Sequence, residues 1–244
     1  ARRFGPLGVD AAAAYIICLG ACGRSAEAEL FVRTSPHCAQ FRTRAIVLAS
    51  LFLAFLASDR IADAEALIFE QQRSRKTAGV PDDNALAFLD TKLCNAFVDR
   101  CSALRLSSSA VAFVDRMQAD DAWPRPDAQT YNLLIKALCA PAGNEDASIA
   151  ADRALVVVNQ MIAADIAPTT FTYNTLIRNL ADQGRLDQAL DLYFTMSTPD
   201  HLTFSHLMHG AAKAGNMRVA HKLEGDMRKA LPDVYPNYNY CKNL

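Results

Sequence analysis

The chain has 244 residues, enough to bury a sizeable core as one large domain or two small ones. Hydrophobic residues make up 51% of it, with only 10 Gly and 10 Pro among them, which favours helices with short connections over many strands. Twenty-five basic side chains against 26 acidic ones leave a formal charge of −1, which argues against a freestanding nucleic-acid binder that relies on bulk positive charge.

In chain order, the start at Ala1-Arg2-Arg3 shows no secretory signal and is compatible with a removed presequence. A first helical pair is expected over 9–44. A second, over 45–90, opens with "AIVLASLFLAFLA" (Ala45–Ala57), whose 13 residues fall short of the about 20 needed to span a bilayer. We read this run as a core helix, with no membrane insertion. Further pairs are expected over 91–127, 128–169, 170–200 and 201–237, with a fragment at 238–244. The fourth carries a polar insert, "APAGNEDASIAAD" (Ala140–Asp152), read as a surface loop. Seven cysteines, an odd number without a CxxC pair, suit free thiols in a reducing compartment; Cys94 and Cys101 lie within apolar helical patterns.

The pairs repeat in register. In "TFTYNTLIRNLADQGRLDQALDLYFTM" (Thr170–Met196), Tyr173, Leu176, Ile177 and Leu180 form an i, i+3, i+4, i+7 stripe. Tyr173 to Ala189 is 16 residues and Ala189 to Met196 is seven. Phe204–Ala220–Met227 and Cys94–Ala110–Met117 keep the same spacing, and Tyr131–Ala154–Met161 keeps it with seven residues inserted. Ala12–Ala28 and Leu48–Ala64 show the 16 without the Met. Each unit therefore reads as two antiparallel helices. Ala marks the close crossing and Met fills the gap at the end of the second helix. One such hairpin cannot bury both its faces, so neighbours must stack; the expected fold is an all-α solenoid.

"TYNLLIKALC" (Thr130–Cys139), "TYNTLIRNL" with "GRLDQALDLYFTM" (Thr172–Met196) and "KAGNMRVAHKLEGDM" (Lys213–Met227) resemble the pentatricopeptide repeat family. The resemblance is carried by about 91–230, within repeats assigned to 91–237; residues 1–90 follow it by spacing alone and are read as degenerate repeats facing protein. It implies a non-catalytic protein that binds single-stranded RNA, one base per repeat. It also implies base-edge contacts from Asn95 with Asp127, Asn132 with Thr169, Asn174 with Asp200, and Ser205 with Asn237 or Asp233. Lys92, Gln129, Phe171 and Leu202 would stack on bases, Phe171 and Leu202 making the best sandwich. By the same resemblance, Asn with Asp favours uracil. The plainer alternative stays open: each Asn suits a first helical turn, and Asp127 or Asp200 may serve as a helix cap.

Lys136, Arg178 and Lys213, with His209, are candidate phosphate contacts, interrupted by Asp99 and Asp182. Repeats one and two place Ala13, Ile17, Ala21, Ala49, Leu53 and Ala57 at the corresponding positions, where they offer nothing to a base or a phosphate. Ile17, Leu53 and Leu56 are therefore assigned to a protein interface. His201, His206 and His209 lack a nearby Cys or acidic ligand and are not read as a metal site. No catalytic motif, cofactor or small-molecule substrate is implied. Four readable bases specify about one site in 256, so the chain is expected to work with other protein subunits in a larger assembly. Expected partners are single-stranded or ribosomal RNA and those subunits, in mitochondria or alternatively a plastid, the mitochondrial ribosome being one such assembly. The competing reading is a protein–protein adaptor without RNA contact.

Overall fold

The computed structural model describes residues 9–34, 45–78, 88–140 and 147–231. Among them are twelve α-helices and no strand: α1 (Val9–Ala21), α2 (Ser25–Thr34), α3 (Ala45–Ala57), α4 (Ile61–Ala78), α5 (Thr91–Ala103), α6 (Ser107–Ala119), α7 (Ala128–Leu138), α8 (Ala147–Ala163), α9 (Thr170–Asp182), α10 (Leu186–Thr195), α11 (His201–Lys213) and α12 (Met217–Ala230). Successive pairs are the hairpins of an all-α solenoid. None of the described helices is long and apolar enough to cross a membrane.

The chain divides into two compact units. The first comprises Ala1–Leu104 and Ser108–Pro126 and holds α1–α6; the second comprises Arg105–Ser107 and Asp127–Leu244 and holds α7–α12. The alanines at the expected crossings, Ala28, Ala64, Ala110, Ala154, Ala189 and Ala220, are all buried. Met117, Met161 and Met227 are buried as well, and Met196 packs against the core from a half-buried position. A small side chain at the crossing lets two backbones approach, and the flexible thioether fills what remains.

The turn inside a hairpin is built by one residue in the left-handed region, at Gly23, Asp59, Arg105, Gly184 and Gly215. The N–H of the following residue then reaches back five positions, as in Arg60 to the Phe55 carbonyl (3.0 Å) and Arg185 to the Leu180 carbonyl (2.9 Å). Asp59 and Arg105 hold this conformation without being glycine, which is why they gave no turn signal in the sequence.

In the first unit α3 packs against α1, α2, α4 and α5. At its contact with α1, a Cβ on Gly20 would sit 2.4 Å from the Ala54 Cα, so the two helices touch backbone to backbone. A ladder of aromatic rings runs through the core: Phe52 and Phe97 centroids lie 6.1 Å apart, Phe97 and Phe113 4.1 Å, and Trp123 meets Phe113 edge-on at 5.2 Å. This packing corrects one expectation. Most of the apolar helix at 45–57 is covered by its own unit, although Ile46 stays 51% exposed, and Leu56, only 5% exposed, is core and not a protein-facing residue.

In the second unit α9 packs against α7, α8, α10 and α11, and α11 against α12. Ala151, Ile177, Leu180, Ala189, Phe204, Leu207, Leu223 and Met227 form its core. The expected loop over Ala140–Asp152 is corrected in part: residues 147–152 are the start of α8, with Ala150 and Ala151 buried, while 141–146 lie outside the described residues. Polar Asn144, Glu145 and Asp146 hid the helix start in the sequence. Cys94 and Cys101 are buried as expected, but Cys18 and Cys22 are exposed. Cys38 and Cys241 lie outside the described residues. Burial pushes the Cys101 and Cys139 thiols up to about 12, which leaves them unreactive.

Candidate nucleic-acid interface

The candidate residues fall at fixed positions of the first helix of each hairpin. The last residue of one repeat is the N-cap of the next: Asp90, Asp127, Thr169 and Asp200 have extended backbone, and their side-chain oxygens accept the N–H of the third helical residue. At Asp127, Thr169 and Asp200 a threonine at that third position (Thr130, Thr172, Thr203) returns its hydroxyl to the cap backbone and closes a capping box. The helix-cap role of Asp127 and Asp200 is therefore real. At Asp200 it does not exhaust the side chain.

Asn174, the fifth residue of α9, donates its Nδ2 to Asp200 Oδ1 (2.9 Å) and accepts the Thr203 hydroxyl at Oδ1 (2.7 Å). Thr203 N–H also reaches Asp200 Oδ1 (2.9 Å), and Asp200 N–H reaches the Thr203 hydroxyl (3.1 Å). Four polar groups close on each other at the α9–α11 contact, with Asn174 only 8% exposed. Partial burial pushes the Asp200 carboxyl up. The hydrogen bonds from Thr203 and Asn174, with a smaller contribution from nearby His201, outweigh it and hold the group below the usual carboxylate range.

One repeat earlier, the Thr172 hydroxyl donates to Asn132 Oδ1 (2.6 Å). Thr172 and Thr203 were missed as site residues. The available signal was their recurrence immediately before the Tyr or Phe of each first helix, in "TTFTYN" and "DHLTFS". Asn95 is buried in the first unit, and Ser205 is half-buried in α11; its expected partners Asp233 and Asn237 lie outside the described residues.

The second residue of each first helix points outward. Lys92 and Gln129 are exposed, Phe171 is 59% exposed and Leu202 45% exposed. Burying large apolar groups is the default, so two of them left open at equivalent positions of α9 and α11 make a surface suited to flat, apolar base faces. One turn below the asparagines, at the ninth helical position, stand Lys136, Arg178 and His209, all exposed. Lys213 is also exposed, but its Nζ donates to the Asp182 carbonyl, and His209 Nε2 lies 3.7 Å from Asp182 Oδ1. Asp182 therefore offsets part of this cationic row, as expected. Half-buried His206 is held below its ordinary value, first by burial and then by the Arg178 charge. No group of three or more His, Cys, Asp or Glu suited to a metal occurs among the described residues.

Two models described as the PPR repeat, the pentatricopeptide repeat, match residues 164–197 and 202–230. Those two stretches are pentatricopeptide repeats, and the chain is similar to proteins of that family. It is 27% identical over 154 residues to one pentatricopeptide repeat-containing protein of Arabidopsis thaliana, covering 61% of this chain and 32% of that one. A second Arabidopsis thaliana pentatricopeptide repeat-containing protein, named mitochondrial, is 26% identical over 110 residues, covering 43% of this chain and 25% of the relative. The chain thus matches about a third or less of the length of these relatives. The crystal structure of the pentatricopeptide repeat protein PPR10 from maize superposes with a TM-score of 0.58 at 23% identity, covering 97% of this chain and 31% of that one. The structure of PPR10 in complex with an 18-nt psaJ RNA element gives a TM-score of 0.48 at 22% identity, covering 97% and 30%.

Proposed function

We propose that this chain is a non-catalytic binder of single-stranded RNA in an organelle, reading bases through repeats four to six of its second unit. The observation that carries the reading is the Asn174–Asp200–Thr203 network, set beside the two open apolar side chains Phe171 and Leu202. In the network Asn174 keeps one amide hydrogen and Asp200 keeps its second oxygen, a donor beside an acceptor. That pair complements uracil, which carries a carbonyl next to a ring N–H. Three cationic side chains on a single strand would give a shallow salt dependence, with log K falling by roughly 2 per tenfold rise in salt.

The test is binding of the full chain to labelled single-stranded RNA, followed by anisotropy. Phe171→Ala is expected to weaken binding to every sequence by about 1–3 kcal/mol. Asn174→Ala should weaken it mainly for RNA carrying a pyrimidine at one position. A chain that binds no RNA at low salt overturns the proposal.

A protein-facing role for the first unit, inside an organellar ribonucleoprotein such as the mitochondrial ribosome, is supported by a separate observation. At the ninth helical position, where repeats four and five carry Lys136 and Arg178, the first two carry Ile17 and Leu53. Ile17 is 45% exposed and Leu53 half-buried. One relative is named mitochondrial, which supports an organellar reading, with a plastid as the alternative to the mitochondrion.

A further inference from the structure

The second helices of repeats five and six carry outward faces that hairpin packing does not explain. Ala189 of α10 and Ala220 of α12 mark the same position, the buried helix crossing. Counted from them, Asp187, Asp191 and Phe194 correspond to Arg218, Lys222 and Gly225. Each set is spaced i, i+4, i+7, along one side of its helix. All three residues on α10 are exposed, as are both cations on α12. The two stripes lie side by side, since Lys222 Nζ stands 5.3 Å from the centroid of the Phe194 ring.

The fold leaves three features of these stripes unused. Phe194, at 64%, is the most exposed large apolar side chain among the described residues. Gly225 sits within α12, where glycine weakens a helix, yet a Cβ placed there would meet nothing within 4 Å. Gly20 and Gly210 are different, because a Cβ on either would lie 2.4 Å and 2.8 Å, respectively, from Ala54 and Ala181. Arg218 stands in the first turn of α12, which holds no acid, although the positive end of a helix disfavours a cation. Among the described residues, Asp187, Asp191 and Arg218 form no ion pair.

We propose that this outer face of α10 and α12 pairs with a second copy of the chain, about a two-fold axis running along the two helices. Consecutive second helices of a solenoid run in the same direction. The axis therefore sets α10 of each copy on α12 of the other, with equivalent positions opposed. Asp187 then meets Arg218 of the partner subunit, and Asp191 meets Lys222 of the partner subunit. Phe194 enters the space left open at Gly225 of the partner subunit. One pairing accounts for the bare charges, the open ring and the glycine. An axis across the helices would instead lay α10 on α10, acid against acid, which like-charge repulsion disfavours. No residue of the pairing belongs to a first helix, so this face is separate from the candidate RNA contacts.

The test is sedimentation of the full chain, without RNA, over micromolar concentrations. The wild type is expected to form a dimer that weakens as salt rises. Gly225→Leu should abolish the dimer and leave a folded monomer, because the monomer has room for the side chain and the helix gains a better former. Asp191→Lys and Lys222→Glu, each alone, should weaken dimerisation by about tenfold or more, since symmetry makes every change felt twice. Mixed in equal amounts, the two variants should dimerise again, because each offers the charge that the other has lost.

A wild type that stays monomeric throughout overturns the proposal. So does a dimer that survives Gly225→Leu, or a pair of charge variants that mixing does not restore. If the wild type is monomeric and Lys222→Glu weakens its binding to single-stranded RNA, the cationic stripe serves RNA and the pairing is wrong.

Discussion

The two units solve the same packing problem with different side chains. In the first, the fifth residues of α1 and α3 are Ala13 and Ala49 and the ninth are Ile17 and Leu53, and an aromatic ladder from Phe52 to Trp123 fills the core. In the second, the same positions hold Asn132, Asn174 and Ser205, then Lys136, Arg178 and His209. Successive first helices there are joined by buried hydroxyl–amide bonds. In the first unit, the ion pairs of Arg60 with Glu29 and of Arg100 with Asp59 lie nearer the surface. One scaffold can thus carry either an apolar or a polar row along its first helices. The alanine–methionine register sets the hairpins, and the fifth and ninth positions are left to vary.

The strongest break to this comparison comes from the first unit's core. Phe97 is fully buried between Phe52 and Phe113, and Phe97→Ala is expected to cost about 3–5 kcal/mol by chemical denaturation. A loss below 1 kcal/mol would mean the ladder is incidental. Next, Ala189→Leu in the second unit should overpack the α9–α10 crossing and cost about 1–3 kcal/mol, read as a lowered melting temperature. An unchanged melting temperature would remove Ala189 from the register shared by both units.

The polar links sharpen the contrast through pH. Asp200 is held below the usual carboxylate range when folded, so its contribution to stability is complete above about pH 4 and is lost as pH falls through the folded value. Asp200→Asn keeps a good N-cap and removes the titration. The difference in stability between wild type and variant should therefore shrink on acidification, and a difference constant with pH would show that the carboxylate charge is not used. The smallest effect belongs to Ile17. Ile17→Asp should change folding stability by no more than about 0.5 kcal/mol while weakening assembly with a protein partner, measured by co-purification from the native complex. A variant that fails to fold would place Ile17 in the core with Leu56.

Much of the fold was legible because burial imposes a period. An apolar stripe at i, i+3, i+4, i+7 and a small residue 16 positions later follow from helix geometry and close crossing, and all six alanines were found buried. The exposed candidates Phe171 and Leu202 were legible too, since apolar letters at the second helical position lie outside the stripe. Leu56 was misread because an all-apolar helix does not say which neighbours cover it. The starts of the helices were legible where a cap residue announced them and not where polar letters continued into the helix, as at 147–152.

By itself, then, the sequence determined the hairpins, their register and the identity of the residues at the fifth and ninth helical positions, because those depend on contacts within a helix or between chain neighbours. Only the tertiary structure decided what the polar groups do. Thr172 meets Asn132 across 40 residues and Thr203 meets Asn174 across 29, and whether an amide donates or accepts depends on which hydroxyl or carboxylate the stacking brings against it. A hydrogen bond is set by distance and direction, and those exist only once the helices are packed.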